Sequence, residues 1–138
     1  MHKAMIVLLL TSLFCASGIA EEIDIKNLMI NHPEWYIKIT DWHVYAGWSC
    51  PAIIHHVTIE NTSDIAYKGI KISVLYYSTT YENYGTQISQ ETGVLPVTVP
   101  PHSRETYLKS GATLGAGCMA MYAGNLEVLG ATPVSGGR

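Results

Sequence analysis

Five histidines beyond residue 20 (His32, His43, His55, His56 and His102) and a Met119/Met121 pair are the side chains best suited to metal chemistry. Imidazole and thioether together favour Cu(I), and imidazole alone suits copper or zinc. Met119 and Met121 lie two apart, so within a strand both point to one face. His55 and His56 are adjacent, so in a regular strand they point to opposite faces and share one ion only across a bulge. Cys118 faces away from Met119 and Met121 in the same pattern. The simpler expectation is that His55 lines the core, His56 is exposed and the methionines fill the interior. A copper or zinc site built from His43, His55, His56, Met119 and Met121 stands as the alternative, and the leading reading carries no cofactor.

Catalytic constellations are weaker. The nearest hydrolase-like string is Gly47-Trp48-Ser49-Cys50-Pro51, which fails the nucleophile-elbow pattern at its fifth position and precedes a strand rather than a helix. Asp41, Glu60, Asp64, Glu82 and Glu91 show no pairing that acid/base work would use. Gly111, Gly115 and Gly117 lack the Lys-Ser/Thr that completes a phosphate loop. No catalytic residue is assigned and no enzyme is expected, with a hydrolase as the second alternative.

The two cysteines beyond residue 20, Cys50 and Cys118, enclose 67 residues. Neither belongs to a CxxC, and in an oxidising compartment two such thiols pair. On the chain-entropy model the bridge contributes about 4 kcal/mol. The compartment follows from the N-terminus. His2 and Lys3 precede an apolar run to Phe14, and then Ala16, Ser17, Gly18 and Ala20 supply small residues. This is the order of a secretory signal peptide, with cleavage expected after Ala20. The run is shorter than the ~20 residues that span a bilayer. Phe14 before Cys15 argues against lipidation at that cysteine. The expected product is secreted, periplasmic or extracellular, with no membrane span after cleavage.

These groups need a scaffold, and composition limits its kind. The chain has 138 residues, 48% hydrophobic and 14% charged, which excludes a disordered chain. A net charge of −3 excludes nucleic-acid binding driven by bulk charge. Hydrophobic periodicity is two rather than 3.6. Residues 36–40 and 42–45 alternate as strand segments, and residues 53–60 place Ile53, His55, Val57 and Ile59 on one face. Residues 70–77 place Ile70, Ile72, Val74 and Tyr76 on one face. Residues 86–92 and 94–99 read as two strands, with Pro96 marking an edge or a bulge. Residues 104–109 form another strand, and 118–122 and 126–129 read as two more around a tight turn at Gly124-Asn125. Only residues 21–31 suit a helix, one or two turns ending before Pro33.

The expected fold is an all-β, Ig-like or fibronectin-III-like antiparallel sandwich of six to eight strands. Residues 1–20 form the signal peptide, 21–34 a lead segment, 35–132 the sandwich and 133–138 a tail. Beyond Phe14 the chain has no phenylalanine, so nine tyrosines and three tryptophans are its large aromatics. Two aromatic groups are candidate partner-binding patches: Trp42, Tyr45 and Trp48, and Tyr77, Tyr81 and Tyr84. Asn61-Thr62-Ser63 is a turn signal that also fits a glycosylation sequon.

Residues 57–107 carry a further pattern: a strand ending in Asn61-Thr62-Ser63, then Tyr67-Lys68, Leu75-Tyr76 and the turn Pro100-Pro101. This resembles the FxLYD-like group of bacterial secreted Ig-like sandwiches, with Ser73 where the motif has Phe and Tyr77 or Ser78 at its closing acidic position. The resemblance implies a non-catalytic accessory or interaction module of the cell envelope with a protein partner. It brings no catalytic residues. The resemblance is to the architecture, because a true immunoglobulin places a tryptophan between its cysteines, and here all three precede Cys50.

Overall fold

The computed structural model describes residues 23–46, 51–108, 113–116 and 120–135. Residues 1–20, Trp48, Cys50, Cys118 and Met119 lie outside the described residues, as does the string from Gly47 to Cys50. The chain begins with a two-turn helix α1 (Ile25–Asn31), whose N-cap Asp24 accepts from the Asn27 N–H at 3.2 Å. Pro33 opens a single 3-10 turn to Trp35. Seven strands follow: β1 (Ile37–Ala46), β2 (Pro51–Asn61), β3 (Tyr67–Ser78), β4 (Gln87–Val99), β5 (Ser103–Leu108), β6 (Thr113–Ala116) and β7 (Met121–Pro133).

They form two antiparallel sheets, an all-β sandwich. The first has the order β1-β2-β5, with β6 also paired to β2, and the second has the order β4-β3-β7. The core is the alternate residues of the inner faces. Ile54, Val57 and Ile59 come from one sheet, and Ile70, Ile72, Val74, Leu95 and Val99 from the other. The β3 face expected from period two is therefore the one buried.

Three expectations about strands are corrected. Residues 36–40 and 42–45 join into one strand β1, and residues 86–92 and 94–99 join into one edge strand β4. Pro96 sits there in a register irregularity between Lys68 and Ile70 of the neighbouring strand. The turn expected at Gly124-Asn125 is absent, and β7 runs straight through it. Gly124 serves a close approach instead. A Cβ there would lie 2.5 Å from two ring atoms of Tyr77, which covers the glycine from the neighbouring strand.

The two ends of the sandwich differ. At one end, the Asn61 side chain is 1% exposed and fully engaged. Its amide donates to the Ile65 and Pro100 carbonyls at 2.8 and 2.9 Å, and its oxygen accepts from the Ser63 N–H and hydroxyl. The turn role thus consumes this asparagine and leaves no free amide for a sugar in the folded chain. Tyr67 donates its hydroxyl to the Met29 carbonyl at 2.7 Å and docks α1 onto this end. Burial pushes the Tyr67 phenol above its ordinary range. At the other end the sheets flank a cavity of about 470 Å³.

Candidate functional site

Two surface groups lie toward the end with the cavity. The first is on the outer face of the β1-β2 pair and depends on two bulges. Along β1 the inward residues are Ile37 and Ile39, then Trp42 and Val44, so the parity changes at Thr40-Asp41. Along β2 the inward residues are Ala52 and Ile54, then Val57 and Ile59, so the parity changes at His55-His56. The register confirms both shifts: Ile39 and Asp41 face Ile59 and Thr58, while His43 and Val44 face His56 and Ile54. A bulge sets one extra residue against the partner strand and re-aims the side chains beyond it. Strict alternation from Ile37 would bury Asp41 and His43. Strict alternation from Ile59 would bury His55. The bulges bring all three out.

The expectation that His55 lines the core is therefore corrected: it is exposed, and His56 beside it is partly buried. The three imidazoles share one patch. The His43 ring lies 5.9 Å from that of His56, nearly parallel to it, and 6.2 Å from that of His55. His55 and His56 rings are 5.8 Å apart, with their Nδ1 atoms at 3.5 Å. His56 Nε2 pairs with Asp41 Oδ2 at 3.2 Å. Tyr45 meets the His55 ring edge-on at 5.8 Å. Met121 packs against the core from β7 and lines one cavity with His43 and Tyr45. Among the described residues no group of three or more His, Cys, Asp or Glu side chains is placed so that it could hold a metal ion.

The second group is on the outer face of the other sheet. Tyr77 and Tyr122 are register partners whose rings stack at 5.6 Å, and Tyr84 leans on Tyr122 at 6.1 Å. Tyr84 is 72% exposed, and Tyr81, in the 3-10 turn Tyr81–Asn83, is 100% exposed. Tyr122 joins the expected group of Tyr77, Tyr81 and Tyr84 through its rung with Tyr77. The signal was cross-strand register, which local spacing does not carry. The other aromatic patch is divided: Trp42 turns inward to the core, Tyr45 turns outward to His55, and Trp48 lies outside the described residues.

Between these surfaces, Trp42, Val44, Ala52, Tyr76 and Met121 line the cavity. Its buried polar tip is the Tyr76 hydroxyl, which donates to the Leu114 carbonyl at 2.7 Å. Burial first, then the Glu91 carboxylate, pushes this phenol up to about 12, so it is a neutral donor across the physiological range. Gly93 lets Leu114 pack there, since a Cβ at Gly93 would meet Leu114 Cδ2 at 2.8 Å. No family model matches the chain, and no similar curated protein or solved structure was found. The site offers an imidazole set with a carboxylate behind it and a stacked phenol platform. Among the described residues no helix is long and apolar enough to cross a membrane.

Proposed function

We propose that the chain works by contact rather than catalysis, as a secreted or periplasmic accessory module with Ig-like architecture and a protein partner. The tyrosine platform is its binding face. The observation that carries this reading is the Tyr77–Tyr122–Tyr84 stack, half-buried at Tyr77 and exposed at Tyr122 and Tyr84, with Tyr81 fully exposed in the turn that precedes Tyr84. Stacked phenols offer broad apolar area with hydroxyl tips and lose little side-chain entropy on binding, which is why tyrosine is enriched at binding hot spots. Export rests on the basic, apolar and small-residue order of residues 1–20.

The Cys50–Cys118 bridge belongs to the same reading. Pro51 of β2 and Ala116 of β6 are antiparallel register partners. Cys50 and Cys118 stand one and two positions beyond that rung in sequence, and two thiols in an oxidising compartment pair. Mass spectrometry of alkylated, non-reduced protein from the native compartment is expected to show cleavage after Ala20 and a mass lacking both thiol adducts.

Photo-crosslinking tests the binding face. A benzophenone side chain at position 81 or 84 in cells is expected to give discrete protein adducts, which Tyr122→Ala reduces at least several-fold. A probe at Thr106, on the other sheet, serves as control. Equal adducts from all three positions would remove the platform as the binding face.

A further inference from the structure

We infer that the bulged β1-β2 pair forms a surface site for a divalent transition-metal ion of the zinc or copper type, with His43, His55 and His56 as ligands and Asp41 as a positioning residue. The inference is independent of the tyrosine face and rests on the convergence of three imidazoles and one carboxylate. Two bulges in adjoining strands are a costly way to expose polar residues that a regular sheet could have placed outward by sequence alone. Here both bulges deliver side chains to one patch.

One pair of nitrogens already lies at the spacing of a shared ion. Nitrogens bound at about 2.0–2.1 Å to one tetrahedral ion lie about 3.3–3.4 Å apart. The His55 and His56 Nδ1 atoms are at 3.5 Å. With Asp41 Oδ2 accepting from His56 Nε2, the lone pair of His56 is left on Nδ1, the atom that faces His55. A carboxylate behind a ligating imidazole is the arrangement that fixes tautomer and raises basicity at metal sites. An ion held between the two Nδ1 atoms would take His55 as its Nε2–H tautomer, the form whose Nδ1 lone pair is free to bind.

The His43 ring must turn toward the ion, since it now lies almost parallel to His56 at 5.9 Å. As placed, no group of three or more His, Cys, Asp or Glu side chains among the described residues could hold a metal ion, so binding requires this turn of the exposed His43 side chain. Three imidazoles leave a fourth position for water. Imidazole nitrogen without thiolate selects Zn(II) or Cu(II) over Mg(II) and Ca(II), which take oxygen.

The test uses tag-free full-length protein, Zn(II) and Cu(II) alone as probes, and calorimetry with Cu(II) electron paramagnetic resonance. Near-stoichiometric binding at about 10 μM or tighter is expected, with nitrogen hyperfine coupling from three imidazoles. His55→Ala and His56→Ala are each expected to weaken binding at least tenfold. Asp41→Asn is expected to weaken it by about 10–100-fold while all three nitrogens remain coupled, the behaviour of an orienting partner. His32→Ala and His102→Ala should change nothing. Far-ultraviolet dichroism on each variant separates loss of ligands from loss of fold, and His55, being exposed, is the variant expected to keep the fold. Binding weaker than about 100 μM, or equal binding by folded wild type and His55→Ala, overturns the inference.

Discussion

The Asn61 end and the Tyr76 end of the sandwich solve the same problem in opposite ways. Both must finish a stack of two sheets without stranding polar groups. At the Asn61 end one amide ties three chain segments together, Tyr67 anchors the helix, and the side chains close on themselves. At the Tyr76 end a single phenol–carbonyl bond spans the gap beside a cavity of about 470 Å³. The imidazole patch and the tyrosine platform both lie toward that second end. Among the described residues no buried side-chain nitrogen or oxygen lacks a partner, so neither end is under-satisfied. The difference lies in what each end does with its polar groups: hydrogen bonds close one end on itself, and the other keeps imidazoles and phenols facing solvent.

The comparison breaks first at Asn61. Asn61→Ala removes two donors and one doubly used acceptor from a buried site, and leaves the Ser63 N–H without its partner. Each orphaned buried group costs about 1–3 kcal/mol. The expected loss is about 3 kcal/mol by urea unfolding, with Zn(II) binding at the remote patch unchanged. A loss under about 1 kcal/mol would show that the amide does not hold this end.

Tyr76 is next, and pH sharpens it. At pH 7, Tyr76→Phe removes the bond to the Leu114 carbonyl and should cost about 1–2 kcal/mol. The folded-state phenol titrates at about 12, against 10.0 for its ordinary value. A raised pKa means that the fold prefers the protonated form. Its contribution is therefore full below pH 10 and is lost as pH rises through about 12. The gap between wild type and Tyr76→Phe should close over that window, because the full linkage loss of about 2–3 kcal/mol exceeds it. Burial, then the Glu105 carboxylate, also raises Tyr107 to about 12, so wild type and variant share that residue's alkaline loss and it cancels in the comparison. A gap constant from pH 8 to 12 would sink the assignment of Tyr76 as a neutral buried donor.

Much of the fold was legible because burial writes itself as alternation. Ile70, Ile72, Val74 and Tyr76 read correctly since β3 is central and regular along that stretch. The Asn61 turn also read correctly, since a polar cluster after an apolar strand has few other uses. The site was less legible because bulges break the one signal on which strand reading depends. The switch from Ile39 to Trp42 registered only as a gap between two segments, and the switch from Ile54 to Val57 was overridden by continuing one face through His55. The short β6 left no period, and its Gly115 has φ +74°, where glycine is favoured. Tyr122 was missed for a different reason: its partner lies 45 positions away in sequence, across a register that only the folded sheet defines.

Gly124 carries the smallest expected effect on stability and the finest test of the open end. Read locally, Gly124-Asn125 is a turn, and alanine there would disrupt the backbone. Read in the sheet, the glycine is the floor under the Tyr77 ring, and its backbone is ordinary strand. The two readings predict different things for Gly124→Ala. The new methyl would lie 2.5 Å from Tyr77 Cδ2 and Cε2, so the half-buried ring must lift away from its 5.6 Å stack on Tyr122. The strand itself gains from replacing glycine, which offsets the lost contact. The stability change is expected to stay within about 1 kcal/mol, because stacked aromatic pairs add about 0.5–1.5 kcal/mol beyond burial. Near-ultraviolet dichroism of the tyrosines should change clearly all the same, and crosslinks from position 84 should fall with it. An unaltered tyrosine spectrum together with a large loss of stability would favour the local reading, and would mean that the phenol platform does not rest on the glycine.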